Sequence, residues 1–180
     1  MRIIAGRYKG RRLKTPDWEG VRPTSDKLRE TLFNVLAPRI QGARVVDGYA
    51  GTGAVGIEAL SRGAAQVIFI EKNRRTAALI EQNLKVCGIE EGYTIHCADV
   101  AAALDGLPAS ETFDLILLDP PYDTENLNVA LGSAARRVVP GGLVVLEHAT
   151  RREADAPPSL CHVRDVRSGD STLTIFSVKL

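Results

Sequence analysis

Short apolar runs alternate along this chain with stretches in which apolar residues recur every three or four positions. Leu115-Ile116-Leu117-Leu118 is the clearest run. Four apolar residues in a row read as a strand buried on both faces, as in a parallel sheet covered by helices. The pattern predicts strands over 44–47, 66–71, 93–99, 113–119 and 143–147, and helices over 54–62, 74–86 and about 127–138. Gly63, Gly88 and Pro140-Gly141-Gly142 follow those helices as stops. Upstream, Leu28, Leu32, Val35 and Leu36 keep the i, i+4, i+7, i+8 spacing of a helix laid on a core. Thr24 or Ser25 can cap it, Asp26 suits its positive first turn, and Pro38 should end it. Runs over 161–167 and 171–178, joined by Ser168-Gly169-Asp170, predict a hairpin closing one edge. Repeated β-α units imply an α/β fold with a doubly wound, mostly parallel sheet and right-handed crossovers.

Residues 149–160, with Pro157-Pro158, read as a linker or lid. Two short β-like runs around glycines between Arg2 and Lys14 predict a small hairpin. The expected division is therefore an arm over 1–20 and one domain over 21–180.

Charge changes the picture of that arm. The formal total is only +1, yet residues 1–45 carry 11 Lys/Arg against 4 Asp/Glu, while residues 46–180 carry 12 against 18. Between Arg2 and Lys14 there are six basic residues and no acid, with Tyr8 among them. Such an asymmetry points to a polyanion, and cations beside a stackable ring are what a nucleic-acid grip needs. Arg7, Lys9, Arg11, Arg12 and Lys14 are the candidate phosphate contacts. Cys87, Cys97 and Cys161 are scattered, as are the three histidines. Neither a zinc site nor a disulfide framework is indicated, and no metal is expected. The expected setting is the cytoplasm: no apolar segment has the length of a membrane span, and Met1 to Gly6 lacks the look of a signal peptide. A monomer without membrane contacts is the expected state.

The strand ends carry the candidate chemistry. The run at 115–118 stops at Asp119-Pro120-Pro121-Tyr122, a loop stiffened by two fixed φ angles. It offers an acceptor side chain, a backbone acceptor and a flat ring within four residues. That set suits a planar group bearing an NH₂, which donates two hydrogen bonds while its ring stacks on Tyr122. Gly51-Thr52-Gly53-Ala54-Val55-Gly56 spells G-x-G-x-x-G, with Glu71 twenty residues after Gly51, as in dinucleotide sites. However, the preceding strand ends at Asp47, four residues before the glycines, and an acid there repels a pyrophosphate. A cofactor with an amino group and a sulfonium would welcome it. S-Adenosylmethionine has both, with a ribose for Glu71 and an adenine amine for Asp99.

Asp47-Gly48-Tyr49-Ala50-Gly51-Thr52-Gly53 resembles the cofactor loop of Rossmann-like class I methyltransferases. Asp119-Pro120-Pro121-Tyr122 resembles the [DNS]-P-P-[YFW] motif of methyltransferases acting on nucleobase amines and, in one branch, on a protein glutamine. Over essentially its full length the chain is similar to the bacterial 16S ribosomal RNA guanine-N2 methyltransferase family, the RsmD family. The matching marks are Arg2-Ile3-Ile4-Ala5-Gly6, Gly10-Arg11-Arg12-Leu13, Arg22-Pro23-Thr24 with Asp26, Arg29-Glu30, Leu32-Phe33, and Glu58-Ala59-Leu60-Ser61-Arg62-Gly63. Ser168 departs from the pattern, since that family usually has an aromatic before the last glycine.

The resemblance implies methyl transfer from S-adenosylmethionine to the exocyclic N2 of one 16S rRNA guanine (the guanine 966 type), with the rRNA expected as partner within a small-subunit ribonucleoprotein particle. It implies a catalytic set of Asp119, Pro120 and Tyr122. It implies cofactor contacts from Thr24, Asp47, Tyr49, Gly51, Gly53, Glu71, Lys72, Asp99 and Val100. The alternatives are a DNA adenine-N6 or cytosine-N4 methyltransferase, a nicotinamide-dependent oxidoreductase, and a non-catalytic RNA-binding protein.

Overall fold

The computed structural model describes residues 1–17, 25–152 and 154–178. Along them run α1 (Asp26–Ile40), β1 (Arg44–Gly48), α2 (Ala54–Ser61), β2 (Gln66–Ile70), α3 (Arg74–Val86), β3 (Tyr93–His96), α4 (Val100–Gly106), β4 (Phe113–Leu118), α5 (Leu127–Arg137), β5 (Val138–Ala149), β6 (Leu160–Ser168) and β7 (Ser171–Val178). The strands form one sheet in the order β3-β2-β1-β4-β5-β7-β6. The first five are parallel, and β7 lies antiparallel between β5 and β6. This is the expected mostly parallel α/β sheet closed by a C-terminal hairpin. Strand order turns back between β1 and β4, the point where sheets of this kind open a crevice at the carboxyl ends of their strands.

The continuous apolar runs follow from burial on two sides. Val45, Leu115, Leu117 and Val145 face one core, shared with Leu32, Phe33, Ile57, Ile80 and Leu84 from α1, α2 and α3. Val46, Ile116, Leu118 and Leu146 face the other, shared with Leu104 and Leu131 from α4 and α5. With a helical layer on each side, every strand position must be apolar, so the period-2 alternation disappears.

Several elements depart from the expectation. The N-terminal hairpin is present but short: Arg2 bridges Arg12, and the N–H groups of Ile3, Gly10 and Leu13 donate across it to the carbonyls of Arg11, Ile3 and Met1 at 2.9, 2.8 and 3.1 Å. The N–H groups of Ile4 and Ala5 donate instead to the Glu58 carboxylate at 2.8 and 3.0 Å, and those of Arg7 and Tyr8 to the Ser61 carbonyl and hydroxyl. The chain is thereby turned onto α2, with Ile3 and Leu13 buried in the first core. Gly6 is required at that turn, because a Cβ there would meet the Ser61 carbonyl oxygen at 1.9 Å. Pro38 does not end α1; it sits in the last turn, where its missing N–H removes only one bond before the helix closes at Ile40. β3 stops at His96, and Asp99 caps α4, an element too short to show a helical period. β5 begins as early as Val138, and its register against β4 shifts between Phe113 and Leu115 to absorb Pro140-Gly141-Gly142.

Candidate active site

Sheet register brings the acids together. Gly48 pairs with Ile70 of β2 on one side and Leu118 of β4 on the other, and Ile70 pairs with His96 of β3. Asp47, Glu71, Asp99 and Asp119 therefore lie at the carboxyl ends of four adjacent strands. The Asp119 N–H donates to the Gly48 carbonyl at 3.3 Å, and the Glu71 N–H to the His96 carbonyl at 3.0 Å. Thr24 falls outside the described residues, as do Arg22 and Pro23.

Asp47 is almost wholly buried, and its Oδ2 accepts the Gly56 N–H at 2.8 Å. Burial drives its carboxyl well above the usual range; the Gly56 N–H opposes this, and the charges of Asp119 and Glu71 add to it. Gly56 lies near the start of α2, so Asp47 claims a donor at the helix end where a dinucleotide fold holds pyrophosphate. Gly56 also packs the helix onto the sheet, since a Cβ there would lie 2.3 Å from the Phe69 ring.

The loop between β1 and α2 is anchored to β2. The Ala50 N–H donates to the Ile70 carbonyl at 3.0 Å and the Gly51 N–H to Glu71 Oε2 at 3.0 Å. Glu71 Oε1 accepts the Asn73 N–H at 2.8 Å. Each oxygen keeps a second lone pair, so a ribose diol remains within the carboxylate's capacity. Tyr49 holds φ at 61°, a left-handed conformation that is sparse for an aromatic residue and concentrated at functional sites. Burial, together with the Asp99 charge, pushes its hydroxyl up to about 12, so it remains a neutral donor. Gly53 continues the turn at φ 77°.

Asp99 uses Oδ1 to accept the Ala101 and Ala102 N–H groups at 3.0 and 3.3 Å. It serves α4 as a cap and remains exposed beside the loop. Lys72 is exposed, and its carbonyl accepts the Cys97 thiol at 3.7 Å. Val100 is buried against Gly48, whose hypothetical Cβ would sit 3.4 Å from it.

Beyond β4, Pro120 is buried while Tyr122 is 40% exposed. The loop is closed by Thr124, whose N–H and hydroxyl both donate to the Pro121 carbonyl at 3.0 and 2.7 Å. Arg152 donates to the Tyr122 carbonyl. These bonds fall on Pro121 and Tyr122 and not on Pro120, the carbonyl expected to hold an amine. The described part of the 149–160 segment thus braces this loop, and Asn128 of α5 donates to Asp155 at 3.0 Å. Between them opens a cleft of about 400 Å³ lined by Pro120, Tyr122, Asn128, Glu147, His148 and Arg152. A small hollow of about 20 Å³, with room for a single water, touches Asp47, Asp119 and Glu147.

Sequence reasoning passed over Glu147 and Arg152. The signal for Glu147 was present, since it closes the apolar run 143–146 as Asp47 and Asp119 close theirs. Arg152 carried none, because its partner is thirty residues away.

The arm places its cations on the surface. Arg7, Lys9, Arg11, Arg12 and Lys14 are all exposed. Arg7 and Arg11 hold their guanidinium carbons 5.5 and 5.2 Å from the Tyr8 ring centre, so that ring is already engaged by cations. Arg11 also donates to the Cys87 carbonyl, and Lys14 Nζ to Gln82 at 3.1 Å. Among the described residues, no group of three or more His, Cys, Asp or Glu stands positioned to hold a metal ion. No helix there is long and apolar enough to cross a membrane.

Comparison with known proteins places this geometry in a family. A family model described as "Conserved hypothetical protein 95" matches residues 1–177. A Bacillus subtilis protein named a putative rRNA methyltransferase, YlbH, is 36% identical over 89% of this chain and 88% of its own length. Ribosomal RNA small subunit methyltransferase D of Haemophilus influenzae is 41% identical over 68% of this chain, which spans 64% of that relative. The solved structure of the Escherichia coli putative methyltransferase yhhF superposes with a TM-score of 0.86 at 27% identity, covering 100% of this chain and 98% of that one. Sequence over nearly the whole chain and sheet topology agree, and this protein belongs to the conserved hypothetical protein 95 family, the RsmD family of methyltransferases.

Proposed function

We propose that this chain transfers a methyl group from S-adenosylmethionine to the exocyclic N2 of a guanine in small-subunit ribosomal RNA. One observation carries the reading. Asp47 and the Asp119-Pro120-Pro121-Tyr122 loop stand on neighbouring strand ends, tied through the Asp119 N–H and the Gly48 carbonyl. An acid suited to a cationic donor and an acceptor suited to an amine thus share one sheet edge.

The residues fit this cofactor better than a dinucleotide. A buried carboxylate whose charge is disfavoured welcomes an amino group and a sulfonium, whereas a pyrophosphate would meet Asp47 where it needs N–H donors. Asp47 would face the amino-acid portion, Glu71 the ribose and Asp99, through Oδ2, the adenine amine. Tyr49, Gly51, Gly53, Lys72 and Val100 would shape the walls, and Thr24 is a further proposed contact. When bound, the cofactor supplies an electrophilic methyl group.

The chain's own residues prepare the acceptor. Guanine N2 is a poor nucleophile because its lone pair is delocalised into the ring. Hydrogen bonds from its two protons to the Asp119 carboxylate and the Pro120 carbonyl favour a more tetrahedral nitrogen and fix its direction of approach. Tyr122, exposed at the cleft, stacks on the extruded base. Asp119 is also within the loop that can take the departing proton. The basic face of the arm would hold RNA phosphates, and a cytoplasmic small-subunit particle, read by shape, is the proposed partner.

The test uses small-subunit particles from cells lacking this protein, incubated with purified chain and tritium-labelled cofactor. Label is expected on rRNA as N2-methylguanine, and Asp119→Ala should abolish it while calorimetric cofactor binding survives. Label on duplex DNA instead, or nicotinamide cofactor binding alone, would overturn the reading.

A further inference from the structure

Glu147 is the one residue, among those described, that lines both the 400 Å³ cleft and the small hollow holding Asp47 and Asp119. Its position follows from register. Leu118 of β4 pairs with Leu146 of β5, so Asp119 and Glu147 each lie one residue beyond a paired position on adjacent strands. Neighbouring strands stand about 4.8 Å apart. Leu117 and Val145, two residues before each acid, both face the α1–α3 core, so the two acids belong to the same sheet face.

From this placement we infer that Glu147 is the base-identity residue, accepting the N1–H of the target guanine while Asp119 and Pro120 hold its N2 amine. The inference rests on the amine-methylation reading above and adds to it the reason for guanine. N1–H and the N2 amine are neighbouring donors on one edge of the base. Two carboxylates side by side are pure acceptors and match that edge. An adenine or cytosine in the same orientation turns a ring-nitrogen lone pair toward Glu147 and is repelled. The cleft lined by Pro120, Tyr122 and Glu147 has a volume in the range of small-molecule sites, and Asp119 lies next to it in the small hollow that Glu147 shares.

The test compares guanine with 2,6-diaminopurine, which keeps the 2-amino group but has a bare N1. Small-subunit rRNA carrying either base at the methylated position, made by ligation of a synthetic segment and reconstituted into particles, is offered to the full chain. Wild type should prefer guanine by at least about 100-fold in kcat/KM. Glu147→Gln, whose amide can donate to a bare N1, should shrink that preference by about tenfold or more. Glu147→Asp keeps the acceptor and should keep the preference at lower kcat/KM. If wild type uses both bases equally, the assignment of Glu147 is overturned without any variant. It is equally overturned if Glu147→Gln lowers both rates together and leaves the ratio unchanged, since a merely positioning residue would do that. Absence of any methylation of guanine particles by wild type would sink the underlying function, and this inference with it.

Discussion

Asp47 pays for its position in electrostatic free energy. A carboxylate shut away from water and facing two other acids has a folded pKa above its unfolded value, so the folded state holds its proton more tightly. Stability conferred by that proton is complete at low pH and is lost as pH rises from about 3.9 through the folded pKa. Asp47→Asn retains an oxygen for the Gly56 N–H and sheds the charge. The ligand-free variant is therefore expected to melt higher than wild type near neutral pH, with the gap closing as pH falls. Thermal melts over a pH series check this, and parallel curves at every pH would contradict it. The same variant should bind S-adenosylmethionine about tenfold or more weakly by calorimetry, because a charged acceptor is lost. The acid is thus destabilising when alone and useful when occupied, as expected at a binding site.

At the scale of elements, α2 is the joint on which the arm depends. Glu58 is fully buried in it and accepts from Ile4, Ala5 and Arg62, with Arg29 of α1 at 4.0 Å. Arg29 is also fully buried; its Nη2 donates to the Arg2 carbonyl at 2.7 Å and to Asp26 at 2.6 Å. Its Nε and Nη1 have no hydrogen-bond partner among the described residues, and the Glu58 carboxylate at 4.0 Å adds its charge to that of Asp26. Glu58→Ala would leave the Ile4 and Ala5 N–H groups and the Arg62 guanidinium without their acceptor and remove one of two acids beside buried Arg29, at a cost of about 3–5 kcal/mol. Urea titration should show the loss as a lower midpoint, and a midpoint near that of wild type would mean that α1 and α2 hold without this contact. Sequence alone marked Glu58 and Arg29 as parts of a resemblance; their pairing, across twenty-nine positions, appeared only once α1 and α2 were packed.

At the scale of the molecule, the unequal distribution of charge becomes a surface. The cationic arm is fastened by Glu58, Ser61 and Asn83 to α2 and α3, and its exposed cations project from there. Replacing Arg7, Lys9 and Arg12 together by Gln should leave thermal stability unchanged and weaken RNA binding. The slope of log affinity against log salt should fall by about two to three, one unit or slightly less per phosphate contact. An unchanged slope would remove the arm from the RNA interface. Much of this protein could be read along the chain, for a reason that is local. Double-sided burial imposes continuous apolar runs, and polar residues where those runs stop mark the ends of strands, so the sheet and the places of Asp47, Glu71 and Asp119 were legible, whereas half-exposed β3 ended three residues before Asp99. Short or long-range features were not. α4 is under two helical turns, the arm's Ile4 and Ala5 are held by an acid more than fifty residues away, and Arg152 finds Tyr122 only through the fold. Local pattern therefore determined which residues end the strands and what chemistry they carry. Register and strand order, which depend on contacts between distant segments, decided that those ends stand side by side and that Glu147 stands among them.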